Sequence, residues 1–216
     1  MLKALFVLSA VPLLAQTLSI TQPRDLQLVN ADAKIGSFKG KTSVQLNELP
    51  GEPKGALAIV KGSSFHNGTI EFDVAGQVTK GASPTARGFV GIAFRVTPNA
   101  EKFEYFYIRP TNGRATEQVQ RNHATQYASH PDYPWQRLRK EEPDKYESYV
   151  DLEPGVWTKI RITVSGKTAK FFVNGATQPT LLVNDLKLGD SEGGIALWIG
   201  PEAEGYFANL KISKEL

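Results

Sequence analysis

The chain has 216 residues, of which 41% are hydrophobic and 22% charged, with 19 glycines, 13 prolines and no cysteine. This composition is that of an ordinary globular protein and excludes collagen-like, coiled-coil and disordered chains. No apolar run approaches the roughly 20 residues that span a bilayer. The formal net charge of +3 is too small and too scattered for the basic stripe of a nucleic-acid binder. Without cysteine, disulfides and thiolate metal sites are excluded.

Residues 1–15 have the pattern of a signal peptide. Lys3 supplies a basic start, an apolar stretch runs from Ala4 to Leu14, and the small residue Ala15 precedes Gln16. This pattern favours export over a disordered or buried N-terminal strand. We therefore expect a periplasmic or secreted protein. Its mature chain, residues 16–216, is expected to form one domain, because no repeat or low-complexity linker interrupts it.

Beyond the leader, apolar and polar residues alternate, which is typical of half-buried β-strands. Ile70, Phe72 and Val74, for instance, are separated by acidic residues. Hairpin signals lie at Asn174-Gly175 and Ser165-Gly166-Lys167, and no helical stripe of three turns is present. Many short strands with turns between them predict an all-β fold, an antiparallel sandwich or barrel. Further strands are predicted at residues 57–61, 88–96, 103–109, 160–164, 168–174, 195–200 and 206–213.

Residues 111–149 depart from this alternation. The segment is polar, rich in arginine and aromatic residues, and long for a loop in a compact domain. Its aromatic content argues against disorder. Two interpretations stay open: an ordered excursion over one face of the sandwich, and a pair of edge strands whose aromatic side chains pack on the sheet.

Alternation also assigns side chains to the two faces of the predicted sheet. It places Arg95 outside the core, on the face that carries Tyr107 and Arg109 of the next strand. Trp198 lies on the outer face between two small residues and forms a flat platform. Aromatic rings beside arginine and amide donors are what a sugar requires, since its C–H face stacks and its hydroxyls need hydrogen bonds. The alternative is that residues 111–149 cover Trp198.

The same segment supplies further candidates for ligand binding. Guanidinium and amide groups recognise hydroxyl-rich or anionic ligands through several donors at once. The competing interpretation is a set of surface salt bridges to acidic residues nearby, each worth at most about 1 kcal/mol. The candidates are Asn112, Arg114, Arg121, Gln126 and Trp135.

Two histidines in this segment are candidates for chemistry. His123 and His130 lie seven residues apart, with Asp132 close by. A loop could bring them together around a divalent metal ion, or place one of them as a general base. No HExxH spacing accompanies them, and a lone loop histidine is more often a surface residue. Glu104 and Tyr107 are the other candidates for acid or base. No phosphate loop or nucleophile elbow is present, which excludes nucleotide hydrolysis and serine-hydrolase chemistry.

Four stretches resemble the concanavalin A-like lectin and glucanase superfamily, which includes laminin G-like modules. This resemblance implies two antiparallel sheets in a jelly roll, with the ligand on the concave sheet. Within the superfamily the chain is similar to bacterial exported proteins of the 3-keto-disaccharide hydrolase-like and family-sixteen-glycosidase-like kinds. The stretches are FHNGTIEFDVAG (Phe65–Gly76), GFVGIAFRV (Gly88–Val96), WTKIRITVSGKTAKFFVNG (Trp157–Gly175) and GGIALWIGPEAEGYFANLKIS (Gly193–Ser213).

The chain departs from classical family-sixteen glucanases, which carry three acidic residues on one strand face. Only Glu71 and Asp73 are present, and residues 74–76 are Val-Ala-Gly where the third carboxylate would fall. A retaining mechanism needs its two carboxyl groups about 5 Å apart and is not supported here. We expect both residues to lie on the solvated face of an ordinary strand, and we exclude classical glucanase activity.

Three functions stay open. The first is saccharide binding on the concave face. The second is cleavage of a glycoside already oxidised at C3, which the resemblance implies: the ketone acidifies the C2 hydrogen, and a base removes it. This enzyme would show a close cluster of ionisable groups at the pocket floor, whereas a binding module would show aromatic residues without that cluster. The third is a laminin G-like adhesion module, which predicts an exposed apolar patch and no deep pocket. The sequence fixes neither the sugar nor the oligomeric state.

Overall fold

The protein was analysed as a computed structural model, and the structure describes residues 14–17, 22–51 and 54–214. Most of the predicted signal peptide, residues 1–13, lies outside the described residues. The described strands are β1 (Leu14–Thr17), β2 (Leu26–Val29), β3 (Ala31–Phe38), β4 (Lys41–Glu48), β5 (Ala56–Val60), β6 (Gly68–Val78), β7 (Val90–Val96), β8 (Phe103–Ile108), β9 (Thr125–His130), β10 (Glu147–Ser148), β11 (Thr158–Ser165), β12 (Thr168–Val173), β13 (Leu181–Val183), β14 (Gly194–Ile199) and β15 (Ala203–Lys214).

These strands form two antiparallel sheets, and the protein is a jelly-roll β-sandwich, as predicted. The first sheet has the order β13-β12-β11-β6-β15-β4-β3, and β1 pairs with β15. The second sheet has the order β10-β9-β8-β7-β14-β5-β2. The helices of the described residues are short: α1 (Gln118–Asn122), α2 (Trp135–Glu141) and 3-10 turns at Pro23–Asp25 and Pro110–Asn112.

The core lies between the two sheets and follows the predicted alternation. Ile70 of β6 pairs with Ile162 of β11, and both side chains are fully buried. Phe94 and Phe106 of the second sheet stack with ring centroids 6.2 Å apart, and Phe106 lies 5.1 Å from Phe171 of the first sheet. Aromatic rings therefore join the two sheets across the core.

The two predicted hairpin turns have different outcomes. Ser165 pairs with Thr168, so Gly166 and Lys167 form a two-residue turn between β11 and β12, as predicted. Asn174-Gly175 does not close a tight hairpin, because Phe171 of β12 pairs with Leu181 of β13. Asn174 and Gly175 both have positive φ, as a turn requires, but they begin a longer connection between β12 and β13.

Residues 111–149 combine the two interpretations left open by the sequence. β9 pairs with β8 and β10 pairs with β9, so the segment supplies edge strands to the second sheet. Around these strands it forms α1 and α2. Tyr127 and Tyr146 are buried with ring centroids 5.4 Å apart, so part of the aromatic content serves packing.

Arg95 corrects the prediction that it lies outside the core. Ala93 pairs with Ala196 and Val96 with Gly194, so β7 has one residue more than β14 between these pairs. Arg95 has a φ of 55° and is 1% exposed. This β-bulge turns its side chain away from the outer face that strict alternation predicts.

Buried Arg95 connects three loops. Its guanidinium donates to the carbonyl oxygens of His66 at 3.0 Å and Gly166 at 2.8 Å, and to that of Gly189. It also approaches Asn67 Oδ1 at 3.4 Å. These backbone partners identify Arg95 as a structural residue at the end of the sandwich.

Glu104 also lies inside the sandwich. It pairs with Phe94, shares the inward face and is 0% exposed. Its carboxylate accepts hydrogen bonds from the Tyr127 hydroxyl and the Leu188 backbone N–H, both at 2.6 Å. Burial raises the pKa of this carboxyl, although these hydrogen bonds and the charge of Arg95 oppose the shift. The candidate acid or base Glu104 thus lies on the inward face of β8, opposite the face that carries Tyr107.

Glu71 and Asp73 lie on the first sheet and point away from the core, as alternation predicts. Asp73 is nevertheless only 8% exposed, because Lys41 Nζ and Asn209 Nδ2 each bind its carboxylate at 2.6 Å. The expectation of a fully solvated strand face is therefore wrong for Asp73.

Among the described residues, no helix combines the length and the apolar character needed to cross a membrane.

Candidate functional site

A pocket of about 720 Å³ opens at the end of the second sheet, where β8 runs into the 3-10 turn at Pro110–Asn112. This volume lies within the range of about 300–1,000 Å³ that is typical of small-molecule sites. The loops before β7 and after β14 form one side, and α1, α2 and the end of β8 form the other. The lining residues are Thr85, Ala86, Arg87, Phe89, Arg109, Asn112, Glu117, Val119, Gln120, His123, Trp135, Arg139, Pro201 and Glu202.

Arg109 lies at the floor of the pocket and is 3% exposed. It follows β8 on the outer face, as alternation predicts. Its guanidinium donates to Tyr107 Oη at 3.1 Å and to Gln126 Oε1 at 2.9 Å. It also donates to the carbonyl oxygen of His123 at 2.8 Å and to Glu147 Oε1 at 2.9 Å. A buried guanidinium with this many partners is held in one orientation.

Glu147 of β10 is the carboxylate of this cluster and is 8% exposed. Arg139 of α2 donates to it through Nε at 2.8 Å and through Nη2. Burial alone would raise the pKa of the Glu147 carboxyl. The hydrogen bond from Arg139 and the charges of Arg109 and Arg139 outweigh burial and hold the pKa below its usual value. Glu147 is therefore ionised at neutral pH.

His123 caps the C-terminus of α1 and places its ring between the pocket and this carboxylate. Its Nδ1 lies 3.0 Å from Glu147 Oε2 without forming a hydrogen bond to it, and it has no other polar partner among the described residues. Burial lowers the pKa of His123, and the charges of Arg139 and Arg109 lower it further against the opposing charge of Glu147. The ring is therefore neutral at pH 7. With the proton on Nδ1 facing Glu147, Nε2 carries a free lone pair.

Aromatic rings surround the two arginines. The guanidinium carbon of Arg109 lies 5.2 Å from the ring centroid of Phe89 and 5.6 Å from that of Trp135. That of Arg139 lies 4.5 Å from the Trp135 ring. These are cation–π distances. The pocket thus joins aromatic rings to a cluster of ionisable groups, the Arg109–Arg139–Glu147–His123 cluster.

Residues 30–213 match the family model of the 3-keto-alpha-glucoside-1,2-lyase-like domain. The chain belongs to this family. The predicted resemblance to 3-keto-disaccharide hydrolase-like proteins is confirmed. No curated protein sequence matches the chain.

Solved structures share the jelly-roll fold with this lyase-like domain at low identity. The carbohydrate-binding module CBM66 from Bacillus subtilis has a TM-score of 0.60 and 14% identity, covering 87% of this chain and 95% of that chain. A Bacillus subtilis protein with a galectin-like fold has a TM-score of 0.55 and 12% identity, covering 91% and 92%. A glycosidic hydrolase has a TM-score of 0.55 and 12% identity, covering 94% and 96%. The chain is a jelly-roll domain of the carbohydrate-binding or glycosidase-like kind.

Several predicted site residues of the lyase-like domain meet at this pocket. Asn112, 4% exposed, lines it and donates from Nδ2 to the carbonyl oxygen of His123 at 3.0 Å. Trp135 forms a wall. Tyr107 and Gln126 do not line the pocket but support it from below through their hydrogen bonds to Arg109. Burial raises the pKa of Tyr107 to about 12, so its hydroxyl stays protonated.

Other predicted residues lie away from the pocket. Arg114 is exposed and binds Asp151 at 2.9 Å and Glu153 at 2.6 Å, which is the surface salt-bridge interpretation. Arg121 donates to the Tyr149 hydroxyl at 2.8 Å. Both arginines brace the segment that carries α1 and do not line the pocket.

The hypothesis that His123 and His130 share a metal ion is wrong. Strand β9 lies between them, and at about 3.3 Å per residue its extended backbone separates the two by roughly 20 Å. His130 instead stacks on Phe103 with ring centroids 4.7 Å apart. In the part of the chain that the structure describes, no group of three or more His, Asp or Glu residues is placed to hold a metal ion.

Trp198 lies on the outer face of the second sheet, as predicted, but outside the pocket lining. It pairs with Gly91, which pairs with Tyr107. The Trp198 ring is half-buried, 4.9 Å from the Tyr105 ring and 4.8 Å from the Tyr107 ring. Both of these ring contacts come from β8.

The sequence prediction missed Glu147, Arg139 and Phe89 as site residues. Glu147 contacts Arg109 across 38 positions of the chain, and no local motif marks that contact. Alternation did place Phe89 on the outer face beside Arg109, and this was the signal that could have added it to the site.

Proposed function

We propose that the protein cleaves 3-keto-α-glucosides by elimination across C1 and C2, with His123 as the general base. The observation that carries this proposal is the position of His123, which lines the pocket with its Nδ1 3.0 Å from the Glu147 carboxylate that two arginines hold. A close cluster of ionisable groups at the pocket floor is what distinguishes the enzyme from a binding module. The family description, a 3-keto-alpha-glucoside-1,2-lyase-like domain, agrees with this chemistry.

The reaction begins at the C2 hydrogen, which the C3 ketone of the substrate acidifies. His123 Nε2 takes this hydrogen as a proton, and the electron pair of the C–H bond forms an enolate between C2 and C3. The enolate then collapses to regenerate the ketone. A C1–C2 double bond forms, the bond from C1 to the glycosidic oxygen breaks, and the leaving oxygen takes up a proton. Protonated His123 supplies that proton, so the base returns to its neutral state.

The cationic groups stabilise the charge that develops on the C3 oxygen. Arg139 lines the pocket with 34% of its side chain exposed, so its guanidinium is accessible to a ligand. Donors that are held in fixed positions stabilise an enolate more than the ketone from which it forms. The ring of Trp135, which lines the same side of the pocket as Arg139, is suited to pack against a C–H face of the sugar.

Glu147 acts as a positioning residue. Two arginines hold the Glu147 carboxylate in place. After a small rotation of the His123 ring, this carboxylate accepts a hydrogen bond from the N–H at Nδ1. This fixes the tautomer with Nε2 free, and it stabilises the imidazolium that forms after proton transfer.

Saccharide binding without cleavage is the second candidate. Trp198 on the outer face favours it, because its half-buried ring, which packs on the buried rings of Tyr105 and Tyr107, leaves part of an aromatic surface open to the face of a sugar ring. The adhesion hypothesis gains no support from the pocket of about 720 Å³ that the described residues form.

The test compares two substrates that differ only at C3. The full chain is incubated with p-nitrophenyl 3-keto-α-glucoside and with p-nitrophenyl α-glucoside, and release of p-nitrophenol is followed. Elimination requires the ketone, so release from the keto substrate alone is expected. Equal release from both would contradict elimination. No release, with a melting temperature raised by either glucoside, would favour the binding function.

We also propose that the protein acts after export, because residues 1–15 have the pattern of a signal peptide. The measurement is the N-terminal residue of the protein recovered from the periplasm or medium of a bacterial host. We expect Gln16, and a recovered chain that still begins at Met1 would contradict export by this route.

A further inference from the structure

The pocket has two chemically different sides. One side carries the donors and acceptors used above: Asn112, His123 and Arg139. The other side comes from the loop before β7 and the turn after β14, where Ala86, Phe89 and Pro201 line the pocket. The two loops are joined by a hydrogen bond of 2.9 Å from the N–H of Gly200 to the carbonyl oxygen of Phe89.

The charged residues on this second side form hydrogen bonds within the pair of loops that builds it. Glu202 accepts hydrogen bonds from Ser83 N at 2.8 Å and Ser83 Oγ at 2.6 Å. Arg87 donates to the carbonyl oxygens of Pro84 at 2.8 Å and Ala86 at 2.9 Å. The surface that this side offers to a ligand is therefore mainly apolar.

Helix α1 adds an apolar residue to the pocket lining. The helix has the sequence QVQRN, in which Val119 is flanked only by polar residues. Val119 is 70% exposed and lines the pocket. Because the helix buries none of its residues, Val119 does not serve the core. A ligand that covers it gains apolar burial.

We propose that this apolar side receives the leaving group, and that the substrate is a 3-keto-α-glucoside of an apolar, ring-bearing alcohol rather than of a second sugar. The inference rests on the proposed function, because the polar side must hold the keto sugar near His123. The group attached to C1 then occupies the rest of the pocket. The hydroxyls of a leaving sugar would lose water there and meet mainly groups that already have hydrogen-bond partners in the loops. An apolar ring instead gains contact with Phe89, Ala86 and Val119.

The first experiment measures kcat/KM for two keto substrates whose leaving alcohols have similar acidity. These substrates are 2-phenylethyl and 2-hydroxyethyl 3-keto-α-glucoside. Because the two alcohols have similar acidity, a difference in kcat/KM reports contact between the protein and the leaving group. We expect a preference of about tenfold for the phenylethyl substrate, the lower end of what one well-packed apolar contact gives. Equal values, or a preference for the hydroxyethyl substrate, would overturn the proposal.

Two valine variants locate the contact. Val119→Ser is expected to reduce the preference by about threefold, because it removes part of the apolar surface while keeping an exposed helix position. Val156→Ser is the matched control, since Val156 is 42% exposed and does not line the pocket. A preference that Val119→Ser leaves unchanged would overturn the placement of the leaving group against α1.

A binding measurement separates this inference from the proposed function. The ketone-free 2-phenylethyl and 2-hydroxyethyl α-glucosides are titrated into the full chain by calorimetry. Tighter binding of the phenylethyl compound without cleavage of any keto substrate would leave the apolar subsite standing and overturn the lyase function. Cleavage of both keto substrates, with equal binding of these two compounds, would overturn the apolar subsite alone.

Discussion

Two buried arginines lie at opposite ends of the second sheet, and their surroundings differ. Arg95 of β7 is 1% exposed and Arg109 after β8 is 3% exposed. Each has a buried carboxyl group in its neighbourhood, Glu104 for Arg95 and Glu147 for Arg109. By burial and charge alone, the two regions would be equally good candidates for a functional site.

The hydrogen-bond partners of the two arginines distinguish the two regions. Arg95 donates to backbone carbonyl oxygens, and Glu104 is held by Tyr127 and a backbone N–H. Arg109 binds Glu147 directly, and beside it a neutral histidine faces a pocket. A buried charge is thus a structural feature where the backbone satisfies it. It indicates chemistry where a titratable base and open space lie next to it.

The largest expected difference between the regions is in activity. His123→Gln is expected to lower kcat by about 10²–10⁴-fold, the usual contribution of a general base. His66→Gln is the matched control in the Arg95 region, because the His66 ring is exposed and paired with Asp190. We expect its kcat to equal that of the wild type. Loss of activity in both variants, or in neither, would contradict the functional difference between the two regions. Circular dichroism checks that both variants fold.

The next difference is in stability. Arg95→Met is expected to lower the free energy of unfolding by about 3 kcal/mol, because three loop carbonyl oxygens lose a buried charged donor. The kcat/KM of the folded variant should stay at the wild-type value. Arg109→Met is expected to lower both quantities, since Glu147 and the carbonyl oxygen of His123 lose a partner. Urea denaturation and kinetics below the unfolding midpoint measure the two effects. An Arg95→Met variant that folds normally but loses activity would reverse the assignment.

The two carboxyl groups should respond to acid with opposite signs. The pKa of Glu147 is lowered on folding, so its contribution to stability is present above about pH 4.5 and is lost as the pH falls through the lowered pKa. The pKa of Glu104 is raised by burial, so stability rises as the pH falls from that raised pKa towards 4.5. Between pH 7 and pH 3, the free energy of unfolding should therefore fall less in Glu147→Gln than in the wild type. Glu104→Gln should lack the rise in unfolding free energy that protonation of Glu104 gives the wild type. Changes of the same sign in both variants would contradict this.

The smallest expected effect is a shift of the pH profile. The lowered pKa of His123 places the acid limb of kcat/KM below pH 6.5, because the base must be neutral. Glu147→Gln removes the charge that raises this pKa and leaves both arginines, so the limb should move to lower pH. Glu147→Asp keeps the charge and should retain the wild-type limb. A limb that is identical in all three proteins would show that Glu147 has only a structural role.

Alternation predicted much of the fold and part of the site. It identified the buried face of β6 and placed Tyr107, Arg109 and Trp198 on one face of the second sheet, because side chains on a strand repeat every two residues. It failed at Arg95, since a bulge inserts a residue without disturbing the apolar and polar pattern. It also failed to show that β9 separates His123 from His130, because that strand is mostly polar at its ends.

The contact between Arg109 and Glu147 could not be predicted from the sequence. It depends on β10 pairing with β9 at the sheet edge, and no residue spacing specifies that pairing. The pocket is likewise formed by loops that are distant in the chain.

Removal of the C2 hydrogen by His123 can be followed with an isotope label at C2 of the substrate. A 3-keto-α-glucoside carrying deuterium at C2 is incubated in ordinary water with the wild type, His66→Gln and His123→Gln, and the product is examined by NMR. The wild type and His66→Gln are expected to release product that has lost the deuterium, and His123→Gln is expected to release almost no product. Cleavage that leaves the deuterium at C2 of the product would contradict elimination and the role of His123.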